Sequence, residues 1–151
     1  ARRITRFAAE DIGLADTNAL AVTINAFQAC HFIGMPECTV HLAEAVIYLS
    51  MAPKSNSSYI AYEHAKKDAL HSMAEPVPLV IRNAPTRLMK DLGYGEGYRL
   101  AHNEEDKVAV DMQCLPDSLV GTEYYTPTKE GHENRLRERL VQLRALRQGH
   151  Q

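Results

Sequence analysis

Apolar residues in the first half of the chain recur at spacings of three and four, which is the pattern of amphipathic helices. Ile4, Phe7 and Ile12 form the first such stripe, and it predicts a helix over residues 2–12 that Gly13 ends. No Ser, Thr, Asp or Asn precedes this stripe as a helix cap. We therefore expect the chain to begin inside a helix, with more protein upstream.

Three further helices are predicted before residue 74, with connections of a few residues that favour antiparallel neighbours in a bundle or array. Asp16 or Thr17 caps the first of them, and the next follows a break at Gly34 with Pro36 in its first turn. That helix is apolar on most sides, which is typical of a central helix. The three helices are expected to end near residues 33, 51 and 73.

The pattern changes at Glu75. Pro76 and Pro78 exclude a helix interior and predict an extended segment. A short helix is expected over residues 86–92, and a long final helix over residues 129–147.

Residues 108–110 and 123–126 are short extended pieces that could pair as a small hairpin. The predicted fold is therefore mainly all-α: a helical bundle or array with an irregular, Pro- and Gly-rich second half and, at most, one β-hairpin. Residues 1–74 are expected to form the helical array. Residues 75–151 are expected to form the irregular segment and the C-terminal helix, packed with the array as one domain.

Composition fits an ordinary globular protein and changes this picture little. The 151 residues are 45% hydrophobic and 24% charged. Their formal net charge is -2, so the overall electrostatic potential favours neither nucleic-acid nor membrane binding. Three irregularly spaced cysteines are no disulfide framework and suit a reducing cytoplasm. No apolar run approaches the roughly 20 residues that span a bilayer.

Motifs that carry chemistry are missing. The sequence contains no phosphate-binding loop of the G-x-x-x-x-G-K-[ST] type, and the glycines at residues 93–97 follow a helix and favour a tight turn. Cys30, His31, Cys38 and His41 resemble a zinc set, but adjacent helical residues point about 100° apart and converge poorly on one ion. We expect no catalytic, cofactor-binding or metal-binding residue in this chain.

The final predicted helix carries six basic and three acidic residues, a net +3 within a chain of -2. It could pack on its own domain, form a subunit contact through the stripe of Leu136, Leu140 and Leu143, or contact phosphates. These three alternatives stay open.

Lys54, Arg82, Arg87 and Lys90 are further candidates for contacts with DNA phosphates. The last three surround one predicted turn, with two tyrosines beyond it that could stack on a base or simply pack.

Six collinear segments resemble one family over nearly the whole chain. This family is the RarA/MgsA AAA+ ATPases, which are replication-associated recombination proteins similar to Werner-helicase-interacting protein. The segments that resemble the family are ARRITRFAAEDIGLAD (1–16), FIGMPEC (32–38), AVIYL (45–49), APKSN (52–56), RNAPTRLMKDLGYGEGY (82–98) and YYTPT (124–128).

The resemblance implies a cytoplasmic, nucleoid-associated ATPase related to clamp loaders that acts at stalled replication forks. Its ATP and Mg sites would lie upstream, outside this chain, so no catalytic residue is transferred. This chain would be the C-terminal region that assembles the protein as a homotetramer. The partners implied are DNA and the single-stranded-DNA-binding protein, with no membrane.

Overall fold

The computed structural model describes residues 1–72, 75–104 and 106–148. Within these ranges the regular structure is entirely helical, which confirms the mainly all-α fold class. The α-helices are α1 (Arg2–Phe7), α2 (Ala19–Ile33), α3 (Thr39–Met51), α4 (Ser57–His71), α5 (Arg87–Asp91) and α6 (Glu133–Gln148).

Contacts divide the chain into two compact units. The first unit contains Ala1–Lys67 and Tyr124–Arg139, and the second contains Asp68–Glu123 and Leu140–Gln151. This grouping differs from the sequence-based boundary at residue 74, because residues 124–139 pack with the helical array. The expectation that both parts pack as one domain stays a prediction.

The core of the first unit is small and lies where the first two helices meet α3. Helix α1 continues through a wider π-helical turn over Ala8–Ile12 and ends at Gly13, whose φ is +53°. The buried centre of the core consists of Ala8, Ile12, Ala19 and Leu49. Two of these four residues are alanines, so this centre buries only two large side chains, Ile12 and Leu49.

Helix α3 departs from expectation in two ways. It begins at Thr39, because the Pro36 carbonyl is taken by the amide and the hydroxyl of Thr39, which close a turn before the helix. The prediction of a central, enclosed helix is wrong for the single chain. Only Ala45 and Leu49 of α3 are buried, and its other face meets solvent.

The second unit is built mostly from turns and loops around α5. The Thr86 hydroxyl accepts a hydrogen bond from the Met89 amide and caps α5, which lies within the predicted range of residues 86–92. Arg99 holds a loop by pairing with both Glu104 and Asp111.

The optional hairpin is not formed. Residues 108–110 and 123–126 are described, and neither segment is a strand. The first segment belongs to the second unit, whereas residues 124–126 belong to the first. Each piece is also shorter than the five or six residues of a typical strand, so little backbone is available for a ladder.

Candidate assembly surface and basic clusters

A buried carboxylate fixes the start of α6 within the first unit. Glu133 is fully buried, and its carboxylate accepts hydrogen bonds from the hydroxyls of Ser55 (2.7 Å), Ser57, Tyr125 (2.8 Å) and Thr128 (2.6 Å). The Thr128 amide adds a fifth bond of 3.0 Å. This one side chain therefore ties α6 to the connection between α3 and α4.

Hydrogen bonding keeps this carboxylate ionised. Burial alone would raise the pKa of Glu133, but the bonds from Ser55, Ser57 and Thr128 outweigh burial and lower the pKa to about 2. Burial, and then the hydrogen bond to Glu133, raise the pKa of the Tyr125 phenol to about 12. A fully buried carboxylate with a low pKa and several hydrogen-bond donors is suited to structural support rather than proton transfer.

The residues before α6 approach the first helices closely. Gly131 has a φ of +48°, and a Cβ atom there would lie 2.1 Å from the carbonyl oxygen of Ala15. That same carbonyl accepts a 2.7 Å hydrogen bond from the His132 amide. This contact explains why α6 begins at Glu133 rather than at the predicted Lys129, since the chain must first turn at a left-handed glycine.

The solvent-facing side of α3 exposes large apolar side chains, together with the polar residues Glu44 and Ser50. Val40 is 70% exposed, Ile47 is 62% exposed and Met51 is 83% exposed. These residues lie seven and four positions apart, so they share one face, opposite the buried Ala45 and Leu49. Single exposed apolar residues are ordinary on soluble proteins, whereas several large ones on one helix face indicate a candidate contact site.

A second apolar surface lies in a groove between α1 and α2. Leu20, Ile24 and Phe27 of α2 form its floor, and each is partly exposed. The groove has a volume of about 800 Å³, and the side chains that complete its lining are Arg2, Arg3, Thr5, Arg6 and Ala9. Sequence periodicity located these apolar residues correctly on helices but could not show that their own chain leaves them uncovered.

The stripe predicted on the last helix is less accessible than these surfaces. Leu136, Leu140 and Leu143 are all half-buried in α6. Leu136 belongs to the first unit, and the other two belong to the second. Their role in a subunit contact stays a prediction.

Lys54 belongs to the first unit, whereas the other candidate phosphate contacts belong to the second. Its ammonium group donates hydrogen bonds to the carbonyl oxygens of Leu49 (2.7 Å) and Ala52 (2.5 Å) at the end of α3. It also lies 5.8 Å from the centre of the Phe7 ring. These contacts give Lys54 a capping role in its own unit, and its contact with DNA stays a prediction.

Arg82 and Lys90 lie in the second unit and line one open depression of about 690 Å³ together with Tyr94 and Tyr98. The Arg82 guanidinium donates to the Val77 carbonyl (2.5 Å) and to the Tyr94 hydroxyl (3.2 Å). It also lies 5.1 Å from the centre of the Tyr94 ring. Arg82 is therefore committed to internal contacts.

Arg87 and Lys90 are exposed on α5 and present their charge to solvent. Lys90 also lines the depression, whose lining further includes the two tyrosines and the acidic Glu96. Contact of Arg87 and Lys90 with DNA stays a prediction.

The thiols are free: Cys30 is half-buried, Cys38 is buried and Cys114 is exposed. Within the described ranges, three or more His, Cys, Asp or Glu side chains nowhere gather in a way that could hold a metal ion. Over the same part of the chain, no helix has the length and apolar character to cross a membrane.

Comparison with known proteins matches the chain closely to one family. The model of the MgsA AAA+ ATPase C-terminal region matches residues 1–144. Over 150 residues the chain is 43% identical to a replication-associated recombination protein A of Coxiella burnetii, covering 99% of this chain and 34% of that protein.

Two further relatives agree with this match. One is the protein of the same name from Haemophilus influenzae, 44% identical over 95% of this chain and 32% of its own length. The other is the ATPase WRNIP1 of Dictyostelium discoideum, 44% identical over 82% of this chain and 14% of its own length. The chain spans about a third of the length of the bacterial relatives. It belongs to the family of C-terminal regions of the MgsA AAA+ ATPases.

Proposed function

We propose that this chain is the homotetramerisation domain of a clamp-loader-like AAA+ ATPase that acts in replication-fork maintenance, recombination and repair. The observation that carries the proposal is the uncovered apolar face of α3, formed by Val40, Ile47 and Met51. A helix that exposes several large apolar side chains opposite its buried face gains stability when a second copy covers them.

The parent protein is proposed to hydrolyse ATP with Mg²⁺ at a site outside this chain and to work in the cytoplasm at the nucleoid. The names of the relatives support this assignment, since they describe recombination proteins linked to replication and an ATPase. The described fold supports the non-catalytic role of this part. Its strongly perturbed carboxylate, Glu133, is fully buried and accepts hydrogen bonds from the surrounding hydroxyl groups.

A matched pair of substitutions tests the assembly surface. Ile47 on α3 is 62% exposed and Val141 on α6 is 61% exposed, so an aspartate at either position meets a similar environment in the single chain. We expect Ile47→Asp to lower the mass measured by light scattering from that of an oligomer to the 16.9 kDa of one chain. We expect Val141→Asp to leave the oligomer intact.

Circular dichroism of both variants checks that the helices persist. If Val141→Asp dissociates the oligomer and Ile47→Asp does not, the contact lies on α6 and the assignment to α3 is refuted. If neither variant changes the mass of an oligomeric wild type, the apolar face of α3 takes no part in assembly.

A second candidate function is binding of DNA, or of the single-stranded-DNA-binding protein, by the second unit. The observation that favours it is the depression where Lys90 lies beside Tyr94 and Tyr98, since cations and aromatic faces together suit single-stranded nucleic acid. Fluorescently labelled single-stranded DNA should bind at low salt and dissociate steeply as salt rises.

The double variant Arg87→Ala with Lys90→Ala should weaken that binding and reduce its salt dependence, because two phosphate contacts are lost. The matched control is Lys66→Ala with Lys67→Ala on α4, which removes the same charge elsewhere. Equal weakening by both double variants would indicate a nonspecific charge effect and contradict a site on α5.

A further inference from the structure

The first unit has two exposed apolar surfaces, and the charged residues that accompany them have opposite signs. On α3, Val40, Glu44, Ile47 and Met51 follow one another at spacings of four, three and four, which places them on one exposed stripe. Glu44 is exposed within this stripe, and we call these four residues the α3 stripe. The only charge along it is therefore negative.

The groove between α1 and α2 has the complementary character. Its floor of Leu20, Ile24 and Phe27 repeats at spacings of four and three, which matches the periodicity of the α3 stripe. Arg6 already pairs with Glu10 at 2.6 Å, so Arg2 and Arg3 supply the net positive charge of the groove. The described lining contains no acidic side chain.

We propose that the α3 stripe of one copy docks into the α1–α2 groove of a second copy. This inference rests on the proposed assembly function and names the two surfaces that meet. A helix packs favourably when its ridge of side chains enters a groove of the same periodicity. Apolar side chains then cover one another, and Glu44 approaches the arginines at the rim, which fixes the orientation of the contact. Both surfaces are exposed within one chain, so the stripe does not fill its own groove.

The contact is heterologous, because the α3 stripe of one copy meets a different surface, the α1–α2 groove, on the next copy. Heterologous contacts produce a closed ring when the rotation between neighbours closes, and four copies would make the proposed tetramer. A self-complementary contact, in which the same surface of both copies meets, would behave differently on mixing. That difference provides the test.

Two variants each block one side of the contact. Leu20→Asp blocks the groove and Val40→Asp blocks the stripe, and both lie at the second residue of their helices, where an acidic side chain is tolerated. Each variant alone should measure as a single chain of 16.9 kDa. An equimolar mixture should form a one-to-one pair of twice that mass, because one intact stripe and one intact groove remain.

Several outcomes would overturn the inference. Retention of the wild-type mass by either single variant would show that its surface is not needed, and a mixture that stays monomeric would show that stripe and groove do not meet. Recovery of the full wild-type mass on mixing would also contradict it, since the pair has no second contact to extend. A monomeric wild type would refute the proposed assembly function itself, which separates the two failures.

Circular dichroism verifies the helical content of each variant, and Leu20→Ser or Val40→Ser replaces any variant that loses it. A charge exchange supplies an independent arm. Glu44→Arg and Arg3→Glu should each weaken association roughly tenfold by placing like charges together, and combining both in one chain should restore most of the loss. If the combined variant does not regain affinity, Glu44 does not lie near Arg3 in the contact between copies.

Discussion

The Ser55 hydroxyl donates a 2.7 Å hydrogen bond to the carboxylate of Glu133, 78 positions later in the chain. This bond belongs to a cluster around the fully buried Glu133 that joins the connection before α4 to the first residue of α6. The first unit thus owes its integrity to polar contacts as well as to its small apolar core. The same unit leaves large apolar side chains exposed on its surface, among them Val40, Ile47 and Met51.

Glu133→Gln should destabilise the first unit markedly. The carboxylate accepts bonds from donors on every side, and an amide would direct its own N–H groups at some of them. We expect a loss of about 3 kcal/mol in the free energy of unfolding, measured by urea denaturation. Glu130→Gln, a change at an exposed neighbour, is the control and should stay within about 0.5 kcal/mol of the wild type.

The low pKa of Glu133 predicts a specific loss of stability in acid. Because the folded-state pKa of about 2 lies below the ordinary value of 4.5, ionised Glu133 stabilises the fold above pH 4.5. That contribution, on the order of 3 kcal/mol, should disappear progressively as the pH falls from 4.5 towards 2. Thermal melts across this range should show a steeper fall for the wild type than for Glu133→Gln. Parallel profiles would mean that the cluster does not hold the ionised form.

Gly131→Ala should be among the most damaging single-methyl additions in the chain. The new Cβ would lie 2.1 Å from the Ala15 carbonyl oxygen, and the backbone already has a φ of +48°. Gly121→Ala is the matched control, since its φ is +83° but no other atom lies within 4 Å. We expect a cost of about 1 kcal/mol at Gly121 from backbone strain alone and several times more at Gly131. Similar melting temperatures for the two variants would contradict the close approach.

Substitutions of Arg82 and Arg87 should differ in their effect on stability, because only Arg82 makes contacts within the second unit that the structure shows. Arg82→Ala removes the bonds to Val77 and Tyr94, so the stability of the second unit should fall by about 1–3 kcal/mol. Arg87→Ala, at an exposed position on α5, should leave stability within about 0.5 kcal/mol of the wild type. Denaturant unfolding of both variants checks the difference. Equal stability would show that the contacts of Arg82 contribute little.

Local signals in the sequence were enough to place several helix ends. Gly13 and Gly34 end their helices at positive φ, and Thr86 caps α5, because these residues act on backbone within one turn of themselves. The start of α6 was misplaced by four residues, since it depends on a contact between Gly131 and Ala15 that no local pattern records.

Two other features could not be predicted from the spacing of apolar and polar residues in the sequence. Glu133 looks like one more charge on a basic helix, and its hydroxyl partners Ser55 and Ser57 are 78 and 76 positions away. The apolarity of α3 was predicted correctly, but periodicity cannot distinguish a helix that its own chain covers from one that its own chain leaves exposed. Only the exposure of Val40 and Met51 in the folded chain makes that distinction.

The molar mass of the wild-type chain tests the central claim most directly. Sedimentation equilibrium at micromolar concentration should give four times the 16.9 kDa of one chain, because the uncovered apolar surfaces of the first unit are expected to be buried between copies. A mass of 16.9 kDa that does not change with concentration would contradict the account.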